Sequence, residues 1–233
     1  MSLPFFFAPG IPDGDRLVLD ENNSRHAVSV LRMEAGEKMH LTNGRGLLVT
    51  AEVLDPHKKK TQLQLLEVET IPPPSNRVVI GFSPLKNSSR LEWFLEKATE
   101  MGVSGIVLLQ CKRTEKQQVR LDRLQQILIS ALLQSQQCWL PVLRGPLPFM
   151  ELVREERTGQ KFIAHCLPTG KSSLRELAGT TGAQLLLIGP EGDFTPDEIE
   201  AAIAQQFVPV SLGETRLRSE TAAMAGAALL CLH

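Results

Sequence analysis

No apolar run in this 233-residue sequence approaches the length of a bilayer span, and the longest, near the C-terminus, is broken by small residues. No membrane partner is therefore expected. The opening Met1-Ser2-Leu3 lacks the basic region that heads a secretory signal, so no leader is expected either. Cysteine is sparse: Cys111, Cys138, Cys166 and Cys231 lie far apart and form no CxxC. That argues against a zinc site and a dithiol-redox motif, so no metal is expected. The four thiols read as reduced and mostly buried in a cytoplasmic protein. Charge of one sign is also lacking. The net charge is −1, with 8 Lys and Arg against 10 Asp and Glu in residues 1–70, and 17 against 16 in the remainder. So even a balance gives no global field for a polyanion, and any nucleic acid must be held by local patches. No internal repeat or low-complexity segment occurs.

What remains is ordinary globular composition, 42% apolar and 22% charged. The length suits one medium domain plus a small one, with a core that needs neither disulfide nor structural metal. Ile71-Pro72-Pro73-Pro74-Ser75 is the clearest punctuation, because consecutive prolines neither continue a helix nor donate to a sheet. The expected division is residues 1–71 and residues 72–233. In the first part, Lys38–Thr42, Leu47–Leu54 and Gln62–Val68 alternate like strands, and Asn43-Gly44-Arg45-Gly46 is a turn. A small β-barrel domain follows, with a short helix over Ser24–Arg32 placing Arg25 and Arg32 near one face. In the second part strands and helices alternate. Strands are expected at Arg77–Phe82, Ile106–Leu109, Phe162–Cys166, Leu185–Ile188 and Phe207–Leu212. Helices are expected at Ser88–Met101, Leu121–Gln137, Ser172–Leu177, Thr195–Gln205 and Ser219–Leu230. That alternation predicts an α/β domain with a helix-covered parallel sheet.

Ligands of such sheets sit at the carboxyl ends of the strands. Three loops there attract attention. Gly189-Pro190-Glu191-Gly192-Asp193-Phe194 has two glycines for close backbone approach, and it leads into a helix with Thr195 as N-cap, Pro196 at N1 and Glu198 completing a capping box. A loop so fixed at both ends reads as a binding loop more than as a bland turn. Gly213-Glu214-Thr215-Arg216-Leu217-Arg218 leads into a helix rich in Ala and Gly, whose close packing also suits a subunit interface. Two arginines before a helix N-terminus oppose its dipole, which favours a polar or anionic ligand for at least one of them. His165-Cys166-Leu167-Pro168-Thr169-Gly170-Lys171-Ser172 ends like a phosphate loop but has His165 where the first glycine belongs, and no G-x-G-x-x-G follows any strand. Triphosphatase and dinucleotide sites are thereby disfavoured. His165 beside Cys166 reads as a packed strand end more than as a nucleophile pair.

Leu187-Ile-Gly-Pro-Glu-Gly-Asp-Phe-Thr-Pro-Asp-Glu-Ile-Glu200, Pro209-Val-Ser-Leu-Gly213 and Leu217-Arg-Ser-Glu-Thr-Ala222 together resemble the C-terminal signature of the RsmE family, the 16S ribosomal RNA uridine-N3 methyltransferases. Lys86, Arg90 and Glu92 followed by Lys97-Ala-Thr-Glu-Met-Gly102 resemble its second motif. Arg25-His26, Val30-Leu-Arg32, Gly36 and Gly44-Arg-Gly46 are similar to its small PUA-like RNA-binding domain. The resemblance spans almost the whole chain. It implies a SPOUT-type parallel sheet with a C-terminal trefoil knot, an N-terminal PUA-like β-barrel, a homodimer, and S-adenosylmethionine as cofactor. By that carry-over the cofactor is held by His165, by Ile188, Gly189, Pro190, Glu191 and Gly192, by Ser211, Leu212 and Gly213, and by Leu217, Arg218, Ser219, Thr221 and Ala222.

The implied reaction methylates N3 of a uridine in the RNA of the small ribosomal subunit. Arg218 is the candidate catalytic residue, stabilising the developing uracil anion, although it could instead order the cofactor loop or pair with Glu191 or Glu220. No general base stands out. RNA contacts are expected from Arg25, Arg32, Lys86, Arg90, Lys112 and Arg113. The sequence departs from the family pattern at Leu133 and Gln137, where a Glu and an Arg are usual, in the short Cys111-Lys-Arg-Thr114 loop, and at Asp193, where a glycine is usual. These departures keep two alternatives open: a SPOUT enzyme acting on another RNA site or a ribose oxygen, and a non-catalytic RNA-binding protein. Intact cofactor loops disfavour the last.

Overall fold

The computed structural model describes residues 3–115, 118–168, 170–179 and 182–232; Met1, Ser2 and Thr169 of the segments discussed above lie outside them. The chain divides into two compact units, Met1–Pro73 with Leu132–Leu140, and Pro74–Ala131 with Pro141–His233.

The first unit contains β1 (Phe5–Phe7), β2 (Arg16–Val18), α1 (Glu21–Arg25), a π-helical turn (His26–Val30), β3 (Lys38–Thr42), β4 (Leu47–Asp55) and β5 (Gln62–Thr70). The strands form one sheet in the order β1-β3-β4-β5-β2, antiparallel except for β1 with β3. Alternation sends Val49, Ala51 and Val53 of β4 inward to meet Met39, Leu41, Leu63 and Phe6. The turn before β4 needs its glycines. Gly44 and Gly46 have φ of 71° and 88°, and a Cβ on Gly46 would overlap the Trp139 ring. Trp139 Nε1 in turn donates to the Ile71 and Pro72 carbonyls, each at 3.1 Å, fixing the start of the proline run.

The expected helix over Ser24–Arg32 is corrected here. Asp20, whose carboxylate accepts from the Asn23 N–H, caps α1, which begins at Glu21, three residues earlier than expected. The helix then widens into the π turn, and Arg32 leaves it with φ 58°. Arg25 and Arg32 therefore do not share one continuous α-helical face.

The second unit carries a seven-stranded, wholly parallel sheet. In chain order its elements are β6 (Asn76–Phe82), α2 (Ser88–Glu100), β7 (Gly105–Gln110), α3 (Leu121–Gln134), β8 (Val142–Pro148), α4 (Phe149–Arg154), β9 (Gln160–Ala164), β10 (Ser172–Ser173), α5 (Leu174–Leu177), β11 (Gly182–Ile188), α6 (Pro196–Ala204), β12 (Val208–Ser211) and α7 (Ser219–Cys231). The strand order is β10-β12-β9-β11-β6-β7-β8, so β11, β9 and β12 are neighbours although helices separate them in sequence. Leu185, Leu186, Leu187 and Ile188 of β11 are all buried, as a strand covered on both faces requires. Phe149 and Leu152 of α4 pack with Phe194 and with Ile199 and Ala202 of α6. Each buried Phe, Leu or Ile among these contributes about 1.5–3 kcal/mol of transfer free energy, the Ala202 methyl less. On α7, Gly226 lets the helix approach β11 so closely that a Cβ there would overlap Leu186.

Most expected elements shift by a few residues at their ends, and three of the shifts bear on the reading. Strand β9 stops at Ala164, so His165 and Cys166 belong to the following loop and the alternating-face argument does not apply to them. Ser172 and Ser173 form a short edge strand beside β12, leaving only Leu174–Leu177 helical. Helix α3 ends at Gln134, and Gln136 with φ 54° turns the chain toward Trp139.

Candidate functional site

The carboxyl ends of β9, β11 and β12 open on a cavity of about 650 Å³, within the usual range for a small organic ligand. Its wall is made by the three loops that follow those strands, with Arg90 of α2 and the first turn of α7.

The loop after β11 is fixed from several sides. Thr195 Oγ1 accepts from the Glu198 N–H at 3.3 Å, and Glu198 Oε2 accepts from the Thr195 N–H at 2.8 Å, so the expected capping box is formed. Glu198 also accepts from the Lys112 N–H at 2.8 Å. Arg113 Nη1 donates to the Gly192 carbonyl at 2.7 Å. Asp193 takes φ 63°, a conformation that a short polar side chain tolerates better than most. Its carboxylate accepts from the Cys166 N–H and from its own neighbour Phe194 N–H, each at 2.8 Å. The loop after β9 is held by Lys171, whose Nζ donates to the His165 carbonyl at 2.9 Å. In the loop after β12, Ser211 Oγ donates to the Gly213 carbonyl at 2.9 Å.

Of the residues named from the sequence, His165, Ile188, Gly189, Pro190, Glu191, Ser211, Leu212, Gly213, Leu217, Arg218, Ser219 and Ala222 line this cavity. Gly192 and Thr221 do not; Gly192 faces the Arg113 side chain and Thr221 is exposed. Arg90, expected to touch RNA, is in the wall beside Glu220. The other expected RNA contacts are dispersed. Lys86 and Lys112 pair with Glu115 and Asp197 at 3.2 and 3.4 Å, mostly exposed contacts that contribute little. Arg113 is engaged with the β11 loop. In the other unit, Arg25 pairs with Glu21 within α1, and Arg32 is exposed. Lys171, Asp193, Arg216 and Glu220 are wall residues not named among the expected cofactor contacts, although Arg216 belongs to the arginine pair for which a polar or anionic ligand was expected. Lys171 was visible only as the tail of a failed phosphate loop, and Glu220 as a possible partner of Arg218.

The wall carries Arg90, Lys171, Arg216 and Arg218 against Glu191, Asp193, Glu214 and Glu220. Cations and carboxylates in equal measure suit a ligand that itself bears both signs. Burial, then the nearby Lys171 charge, lower the pKa of His165, which keeps its imidazole neutral and able to accept or donate. Both its ring nitrogens are buried without a partner, as is Glu220 Oε2. S-adenosylmethionine, with an ammonium, a carboxylate, a sulfonium and a hydrogen-bonding adenine, fits a wall of this chemistry. Among the described residues no cluster of His, Cys, Asp and Glu could hold a metal ion.

Comparison with known proteins agrees with this geometry. An RNA methyltransferase domain family matches residues 72–231, and an RNA methyltransferase PUA domain family matches residues 19–66. The ribosomal RNA small subunit methyltransferase E of Mycobacterium bovis is 30% identical over 229 residues, covering 94% of this chain and 87% of that protein. A crystal structure of the same enzyme from Neisseria gonorrhoeae bound to S-adenosylmethionine superposes with a TM-score of 0.83 at 30% identity, covering 97% of this chain and 95% of that one. A Porphyromonas gingivalis protein of known structure gives 0.89 at 35% identity, again covering 97% and 95%. The parallel sheet is that of the SPOUT methyltransferases, and the N-terminal sheet is that of a PUA domain. The chain belongs to the ribosomal RNA small subunit methyltransferase E family.

Proposed function

We propose that this protein transfers the methyl group of S-adenosylmethionine to N3 of one uridine in the 16S RNA of the small ribosomal subunit. The observation that carries the reading is the cavity at the ends of β9, β11 and β12, whose wall combines tightly held loops with both signs of charge. The Neisseria relative that binds this cofactor shares the fold over nearly the whole chain. In this reading the cofactor lies against Ile188–Glu191, Ser211–Gly213, Leu217–Ser219 and Ala222, with His165 beside it. Arg218 faces the oxygens of the uracil, where a guanidinium stabilises negative charge that develops as N3 becomes a nucleophile. The bound cofactor supplies an electrophilic methyl; the chain supplies orientation, exclusion of water and charge stabilisation.

The same reading takes residues 1–71 as the RNA-binding PUA-like domain and residues 72–233 as the catalytic domain. It takes the C-terminal segment as a trefoil knot and the protein as a cytoplasmic homodimer. An α7 that is apolar on nearly all sides supports a second copy packing on it. Among the described residues no helix is long and apolar enough to cross a membrane. RNA contacts fall to Arg25, Arg32, Lys86, Arg90, Lys112 and Arg113.

The test is methyl transfer from labelled S-adenosylmethionine to small subunits lacking the modification, followed by primer extension. An N3-methyl blocks base pairing, so a new enzyme-dependent stop at one uridine is expected. Label without a stop would point to a ribose oxygen, and absence of label despite cofactor binding would point to a binding protein.

A further inference from the structure

Glu220 is the second residue of α7 and is 8% exposed. Its Oε1 lies 3.5 Å from Arg90 Nε, while its Oε2 is buried with no hydrogen-bond partner. The helix dipole accounts for a negative charge at this position. It does not account for the empty oxygen, because a buried acceptor without a donor costs on the order of 1–3 kcal/mol, and more when charged. Such groups call for a specific explanation, and a ligand that brings the missing donor is one. Glu220 lines the same cavity as the cofactor loops, so the donor has a place from which to come.

We propose that Glu220 accepts the imide N–H of the target uracil and is the base that removes its N3 proton; this rests on the uridine-N3 reading above. The imide edge of uracil presents acceptor, donor, acceptor: O4, N3–H, O2. Arg90, Glu220 and Arg218, all on the cavity wall, offer donor, acceptor, donor. Cytosine carries a lone pair at N3 and would set it against the carboxylate, so the same array selects uracil. In the step, Glu220 Oε2 takes the proton from N3 and the N–H electron pair stays on the ring, spread over N3, O2 and O4 beside the two guanidinium groups. N3 then forms its bond to the methyl carbon while the bond between that carbon and the sulfonium sulfur breaks, the sulfur keeping the electron pair. Glu220 returns the proton to solvent. Arg90 positions the carboxylate by holding its other oxygen.

The test compares wild-type protein with Glu220→Gln, which keeps the shape and removes the base. Three quantities are read: binding of S-adenosylhomocysteine by calorimetry, methyl transfer to unmodified small subunits, and transfer to subunits whose RNA contains 5-fluorouridine, where N3–H is more acidic. Binding is expected to stay within about twofold of wild type, and transfer to uridine to fall about 100-fold or more. Substitution with 5-fluorouridine should restore part of the rate to the variant while changing the wild-type rate less. Wild-type transfer rates in the variant would overturn the proposal. So would a loss of S-adenosylhomocysteine binding equal to the loss of transfer, which would make Glu220 a cofactor contact. Lost transfer with no recovery on 5-fluorouridine would also overturn it, leaving a residue that only positions. If the wild-type protein itself placed no methyl on N3, the functional reading would fail first, and visibly so.

Discussion

Asp193 accepts a 2.8 Å hydrogen bond from the backbone N–H of Cys166, and so ties the loop after β11 to the loop after β9 across the cavity wall. The usual family glycine would take φ 63° without cost but has no side chain with which to make this tie. Asp193→Gly is therefore expected to weaken S-adenosylmethionine binding roughly tenfold, the equivalent of one charge-assisted hydrogen bond. Asp193→Asn, which keeps an acceptor oxygen, should recover part of that affinity. Calorimetric titration of both variants checks this; glycine binding as tightly as aspartate would show that the tie does not shape the site.

Cys166 is the exposed thiol of the four and lies on the cavity wall, whereas Cys111 is buried, with its pKa pushed up to about 12 by that burial. Thiolate is the reacting form. Limited alkylation of the native protein should therefore label Cys166 and spare Cys111, and S-adenosylhomocysteine should slow the labelling of Cys166. Peptide mass spectrometry reads both results. Unchanged labelling of Cys166 at saturating ligand would place the ligand elsewhere.

Much of this architecture was legible in the sequence, for physical reasons that also mark where legibility ended. Leu185–Ile188 announced a strand buried on both faces, and Thr195-Pro196-Asp197-Glu198 announced its helix start, because a capping box is a local device. The three loops could be ranked as ligand-bearing because parallel sheets place ligands at strand ends. Strand order was hidden, since β9, β11 and β12 become neighbours through contacts distant in sequence. The β8 strand, interrupted by Gly145-Pro146, carried no clear period, and the π turn after Arg25 has no sequence signature. Glu220 was hidden for another reason. That its Oε2 lacks a donor is a property of burial in three dimensions, not of the letters Ser-Glu-Thr-Ala.

Glu155 accepts from Arg144 and Arg157, and hydrogen bonding to Arg144 first of all holds its pKa at about 2. A carboxylate depressed in the folded state stabilises the fold fully above its unfolded pKa. That contribution is lost as pH falls toward the folded value. The contribution of Glu155 should therefore be present above about pH 4.5 and fade between there and pH 2. Urea denaturation across this range should show Glu155→Gln less stable than wild type at neutral pH, with the two converging as pH falls. A difference that stays constant with pH would assign the effect to packing instead.

Gly226 lets α7 lie against β11, with Leu186 occupying the space a Cβ would need. Gly226→Val should destabilise the protein by about 1–3 kcal/mol or more through overpacking, despite the better helix propensity of valine. The midpoint of denaturant unfolding measures the effect. An unchanged midpoint would mean that the helix can step back from the sheet at little cost.

The central claim is that the cavity serves methylation of a uracil nitrogen. Its most direct test is chemical identification of the product: small subunits lacking the modification are incubated with the protein and S-adenosylmethionine, and the RNA is digested to nucleosides and separated against authentic standards. The account predicts that 3-methyluridine appears, dependent on enzyme and cofactor and approaching one per subunit. A 2'-O-methylated nucleoside, or no methylated product from a protein that binds the cofactor, would contradict it.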